Sequence, residues 1–169
     1  MDATGHRVEH AAITLRPATA TDQEFLLEVY ASTREAELRL VPWTTEQKQA
    51  FVVQQFIAQD TAYRREYPDA TFDVIDVDGR DAGRLLVERR ADVIDVLDIA
   101  LLPPFRARGV GTTVMGALCA EATANGTRIS LYVERFNPAR AWYERLGFRH
   151  VSDTGVYLLL EWLPPRLAG

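Results

Sequence analysis

The sequence predicts a single α+β domain, and three observations lead there. A short strand is followed at once by two segments of helical period, residues 71–102 then switch to alternating or apolar runs, and the rest of the chain alternates helix and strand patterns. No repeat, linker or low-complexity segment divides the 169 residues, a length suited to one core.

The elements follow in order. ITLRPAT, residues 13–19, alternates and stops at Pro17, as a first strand would. Thr21 and Glu24 read as a capping box, opening a helix that carries Phe25, Leu26, Val29 and Tyr30. Pro42 punctuates, and a second helix is expected to start after Thr44 or Thr45 and run toward Pro68. Asp78-Gly79 and Arg90-Ala91-Asp92 break the next stretch into three strands of an antiparallel meander. The third, 93–102, is apolar on both faces apart from Asp95 and Asp98, as a central strand would be. A helix follows from Val110, with Val114, Leu118 and Ala122 on one face and Asn125-Gly126 as its stop. TRISLYVER is a strand; Asn137 as N-cap and Pro138 at the first helical position open a helix ending at Gly147; two strands, about 148–152 and 155–162, precede a Pro-rich tail. The domain is expected to span 11–163, between a flexible leader at 1–10 and a tail at 164–169.

Composition narrows the class. Hydrophobic residues make up 47% and charged residues 25%, and no apolar run approaches the roughly 18 residues of a membrane span, so a soluble protein without membrane partners is expected. The first ten residues lack an apolar h-region, and a cytoplasmic location is expected. Cys119 is the only cysteine, which excludes an intramolecular disulfide and a thiolate cluster. His6, His10 and His150 have no ligand spacing, so no metal is expected. The net charge is −5, and all the excess acid lies in residues 1–90. Nucleic acid is therefore not an expected partner, whereas a small or cationic one fits.

FRARGVGTT, residues 105–113, places two glycines and two arginines between a strand and a helix, an arrangement that can cradle a phosphate on convergent amides. A nucleoside-triphosphate loop needs Gly-Lys, which occurs nowhere; the one lysine is Lys48. A dinucleotide loop needs a third glycine where Val114 stands. The pattern present is R-x-x-G-x-G, from Arg106 to Gly111. Twenty-six residues past Gly111, Asn137, Ala141, Tyr143, Gly147 and Phe148 form N-x-x-x-A-x-Y-x-x-x-G-F.

These two motifs, in this order, resemble those of the GNAT N-acetyltransferase superfamily. The resemblance implies a mixed central sheet of six to seven strands flanked by about four helices, in the order β-α-α-β-β-β-α-β-α-β-β. It implies acetyl-CoA as cosubstrate, its pantetheine arm in a gap between the third meander strand and strand 127–134, pairing with backbone around Ile99 and Leu101. Amides of Arg106, Ala107, Arg108, Gly109, Val110, Gly111 and Thr112 would bind the pyrophosphate. The Asn137 side chain would hold the arm, and Tyr143 would sit near the sulfur as general acid.

Transfer to an amine at neutral pH requires removing a proton from a group of pKa about 10, a cost of roughly 4 kcal/mol that a carboxylate or water relay would share. Asp98 and Asp95 are the candidates, pointing to opposite faces unless a bulge intervenes. Asp98 abuts the cofactor segment and is preferred; Asp95 lies at a depth where some superfamily members carry an acidic base. Tyr30, Arg34 and Glu37 share a helix face and are candidate acceptor contacts, against the alternative of a solvated face with an internal Arg34–Glu37 pair. Trp43 either lines the cleft or plugs the core. The expected activity is acetyl-CoA-dependent N-acetylation of a small-molecule amine or a peptide amino group, with a homodimer left open. The competing readings are a non-catalytic acyl-CoA-binding or sensor module and a structural protein whose loop binds another anion.

Overall fold

The computed structural model describes residues 11–166. Seven strands form one sheet: β1 (Ile13–Pro17), β2 (Thr71–Val77), β3 (Arg80–Arg89), β4 (Val93–Leu101), β5 (Arg128–Glu134), β6 (Arg149–Asp153) and β7 (Tyr157–Trp162). Their spatial order is β1-β2-β3-β4-β5-β7-β6, antiparallel throughout except for the β4–β5 pair. Four helices flank it: α1 (Gln23–Leu38), α2 (Thr45–Glu66), α3 (Val110–Asn125) and α4 (Ala139–Arg145). This is the expected mixed α+β fold in the expected order.

The larger core joins one face of the sheet to α3 and α4, with Leu85, Met115, Ile129 and Leu160 fully buried. A smaller cluster, Leu26, Tyr30, Val52 and Phe56, knits α1 to α2. Helix α3 follows its sequence pattern: Val110, Val114, Leu118 and Ala122 are buried, and Gly126 closes it in the left-handed region at φ 66°. Asp78 and Gly79, both with positive φ, make the tight β2–β3 turn.

The helix starts differ in detail. Thr19, not Thr21, forms the capping box, and its partner is Asp22, whose carboxylate accepts from the Thr19 amide at 2.7 Å. Arg16 decides between these two equally spaced pairs: it donates twice to Asp22, at 2.9 and 3.0 Å, and again to Asp81 on β3. Thr44 caps α2 with Gln47. At α4 the Asn137 side chain accepts from the Ala139 amide at 2.8 Å. Pro164, assigned to the tail, is fully buried. The leader at 1–10, with His6 and His10, lies outside the described residues, as do 167–169. No described helix is long and apolar enough to cross a membrane.

Candidate active site

β4 and β5 pair only through Val93–Arg128, Ile94–Ile129 and Asp95–Ser130, and then part. From residue 96 onward β4 keeps β3 on one side and has no strand on the other. Gly83 lets the β3 backbone press close here, because a Cβ at this position would lie 2.2 Å from the Ala100 carbonyl oxygen. A cavity of about 360 Å³ fills the parting; both separated strands line it, with Tyr30, Arg34 and Glu37 from α1 and Tyr143 from α4. A second cavity of about 290 Å³ adjoins it through Tyr132, around Asp95, Glu88 and Arg90. All six tyrosines of the chain, 30, 63, 67, 132, 143 and 157, line these two spaces. A larger groove, about 480 Å³ between α1 and α2, is lined by none of the candidate catalytic, cofactor or acceptor residues.

The two aspartates do not point to opposite faces. Leu86 pairs with Asp98 and Val87 with Val96, so Leu97 is an extra residue in β4, a bulge that restores the same facing to Asp95 and Asp98. Their surroundings separate them. Asp95 accepts from Ser130 Oγ at 2.5 Å and from Arg90 at 2.5 and 2.9 Å, which commits its carboxylate. Asp98 lies in the cavity with Tyr143. Its Oδ2 is 2.5 Å from Arg84 Nε, yet the N–H is not aimed at it, so the contact is an ion pair and not a hydrogen bond. Its Oδ1 has no hydrogen-bond partner among the described residues. Arg84 is itself buried and donates to Gln59 Oε1 at 2.9 Å.

Tyr143 is 8% exposed, packed between Trp142 and Phe148 at ring separations of 4.7 and 5.7 Å. Its hydroxyl has no hydrogen-bond partner among the described residues. Burial first, and then the Asp98 charge, push it up to about 12, so it stays protonated at neutral pH. Tyr63 is raised to about 12 for the same two reasons, and its hydroxyl donates to the Leu97 carbonyl at the bulge.

The 105–113 loop alternates backbone hand. Ala107 at φ 56° and Gly109 at φ 80° are left-handed on either side of Arg108, the kind of alternation from which anion-binding nests of backbone amides are built. The arginine side chains turn elsewhere: Arg106 donates to the Leu101 carbonyl at 2.8 Å and to Ser32 Oγ on α1 at 3.0 Å, and Arg108 to the Pro104 carbonyl at 3.2 Å. They brace the loop. Gly111 serves packing, since a Cβ there would lie 3.2 Å from the Trp142 ring, whose indole N–H reaches Thr112 Oγ1 at 3.1 Å. Trp142 was not singled out by the sequence motifs; only its place beside Tyr143 hinted at it.

On α1, Arg34 donates to the Tyr30 hydroxyl at 3.2 Å and to Glu37 at 3.3 Å. The internal pair exists, and all three residues also line the cavity. Trp43 does neither thing expected of it: it is 41% exposed and packs edge-on against Phe51 at 5.3 Å.

The fold has solved counterparts. The PaiA N-acetyltransferase of Thermoplasma acidophilum, solved in complex with coenzyme A, superposes with a TM-score of 0.68 at 19% identity, over 90% of this chain and 99% of that one. An acetyltransferase from Thermus thermophilus gives 0.66 at 20% identity over 90% and 97%. The ribosomal-protein-S18-alanine N-acetyltransferase of Escherichia coli gives 0.56 at 20% identity over 90% and 94%. Residues 29–148 match the sequence model of the acetyltransferase (GNAT) family, a span that reaches from α1 to Phe148 and takes in the parted strands, the braced loop and Tyr143; the chain belongs to that family.

Proposed function

We propose that the chain transfers the acetyl group of acetyl-CoA directly to a primary amine. The observation that carries this reading is the meeting, in one cavity at the parting of β4 and β5, of the hydroxyl of the buried Tyr143 and a carboxylate oxygen of Asp98, both without a hydrogen-bond partner among the described residues. The surroundings suit the cosubstrate. The concave amides between Arg106 and Thr112 offer a seat for a pyrophosphate, the free side of β4 at Ile99 and Leu101 offers peptide groups to an amide-bearing arm, and Asn137 keeps its NH2 donors after its oxygen caps α4. At Leu101 the N–H is the unengaged group, since the carbonyl already accepts from Arg106.

Acetyl-CoA supplies an acyl group activated as a thioester, with a thiol of pKa about 8.5 to be released. Tyr143, protonated at neutral pH, is the donor to the departing sulfur. Asp98, its charge balanced by Arg84 at Oδ2, accepts the proton of the amine at Oδ1, directly or through a water. Asp95 is the weaker candidate, held by Ser130 and Arg90 in the adjoining space. Tyr30, Arg34 and Glu37 form the α1 wall of the acceptor site. A cytoplasmic setting belongs to the same reading. A screen of primary amines with acetyl-CoA, following free CoA, tests it: release with at least one amine is expected. Tight acetyl-CoA binding with silence across the screen would instead favour an acyl-CoA-binding module without turnover.

A further inference from the structure

Charge matching around the cleft points to the acceptor. Three guanidiniums line the two adjoining cavities, and each is already paired: Arg34 with Glu37, Arg84 with Asp98, Arg90 with Asp95 and Glu88. None is left for an acceptor's carboxylate. Among the carboxylates, Glu134 on β5 has no ion-pair partner among the described residues. It lines the same cavity as Tyr143, two residues from Tyr132 and directly across from Tyr157 in the β5–β7 register. Both of these rings are substantially exposed, at 63% and 45%. An exposed carboxylate alone marks nothing. The Tyr143 side chain, 8% exposed and with its hydroxyl unpartnered among the described residues, lines this cavity and independently marks the space as one that receives a polar ligand.

We infer that the acceptor is a small amine carrying a second positive charge remote from the reacting nitrogen, held at Glu134 between the rings of Tyr132 and Tyr157. The chemistry is that of an organic cation: a carboxylate supplies the counter-charge, and aromatic faces attract a cation through their quadrupole. A carboxylate at the same end of the acceptor meets an unpaired negative charge and no free guanidinium. This inference rests on the acetyl-transfer reading, which supplies the reacting end of the acceptor.

Three acceptors of equal chain length test it with acetyl-CoA: 1,4-diaminobutane, butylamine and 4-aminobutyrate. The expected order of kcat/KM is diamine, then butylamine, then aminobutyrate, with about tenfold between the first two, the factor that a single favourable charge contact in a sheltered cleft provides. Glu134→Gln is expected to bring the diamine-to-butylamine ratio down to about two, the statistical factor for two equivalent amino groups against one, so that only the excess over two counts as the diamine advantage. A wild-type order that favours aminobutyrate, or a diamine advantage untouched by Glu134→Gln, overturns the inference while leaving acetyl transfer standing. Calorimetric binding of 1,4-diaminobutane to the intact chain separates the two readings. If no amine is acetylated, diamine binding that Glu134→Gln weakens still upholds the cation site, and absence of diamine binding overturns it.

Discussion

Tyr143 and Asp98 line one cavity, and the proposed chemistry rests on their meeting there and not on either residue alone. Tyr143→Phe keeps the ring contacts to Trp142 and Phe148 and removes only the hydroxyl. Turnover is expected to fall about 100-fold, with acetyl-CoA affinity changed less than about threefold, as measured by steady-state kinetics and calorimetry. Asp98→Asn is expected to lower kcat/KM about 100-fold at pH 7 and to regain activity as pH rises toward about 10, where the amine loses its proton unaided. The same change strands the buried Arg84 charge, at a cost of about 2 to 3 kcal/mol in a denaturant titration. Asn137 and Tyr143 were legible in sequence because their spacing along one helix start is local. The facing of the aspartates was not, since the Leu97 bulge depends on how β4 registers with β3 and leaves no mark on the alternation of β4 itself.

β4 is the element on which the site depends, joined to β5 at one end and to β3 alone at the other. Gly83 lets β3 and β4 lie close together at that second end. Gly83→Ala places a Cβ against the Ala100 carbonyl and is expected to push β4 aside at Ala100–Leu101, costing about 2 kcal/mol or more and weakening acetyl-CoA binding. Stability without loss of binding would show that this edge is not where the arm lies. The strands, the turn at Asp78-Gly79 and the burial face of α3 were all readable, because they follow from periodicity and turn chemistry within a short window. The role of Gly111 was not: its neighbour Trp142 lies 31 residues away, and the sequence assigned to a phosphate a glycine that also makes room for an indole.

Across the whole molecule, Arg16 and Asp22 tie the first strand and the entry to α1 to Asp81 on β3. Arg16 and the Thr19 amide hold the Asp22 carboxyl down at about 2, below its ordinary 3.8. A depressed acid stabilises the fold at pH values above its unfolded pKa, so this contribution is complete above about 4 and is lost as pH falls toward about 2. Thermal midpoints followed from pH 5 to pH 2 are expected to fall, and Asp22→Asn is expected to flatten that fall while lowering stability near neutrality. The excess of acid in the first half of the sequence, legible from composition, bears on which partners approach; the paired guanidiniums and unpaired Glu134 became visible only when distant segments met. Acetyl transfer by Tyr143 and Asp98 is tested by the single-turnover rate at saturating acetyl-CoA with an amine, for the unaltered chain and for Tyr143→Phe. Rapid transfer is expected in the former and a loss of about 100-fold in the latter with acetyl-CoA still bound; equal rates in the two proteins would remove the Tyr143 hydroxyl from the chemistry.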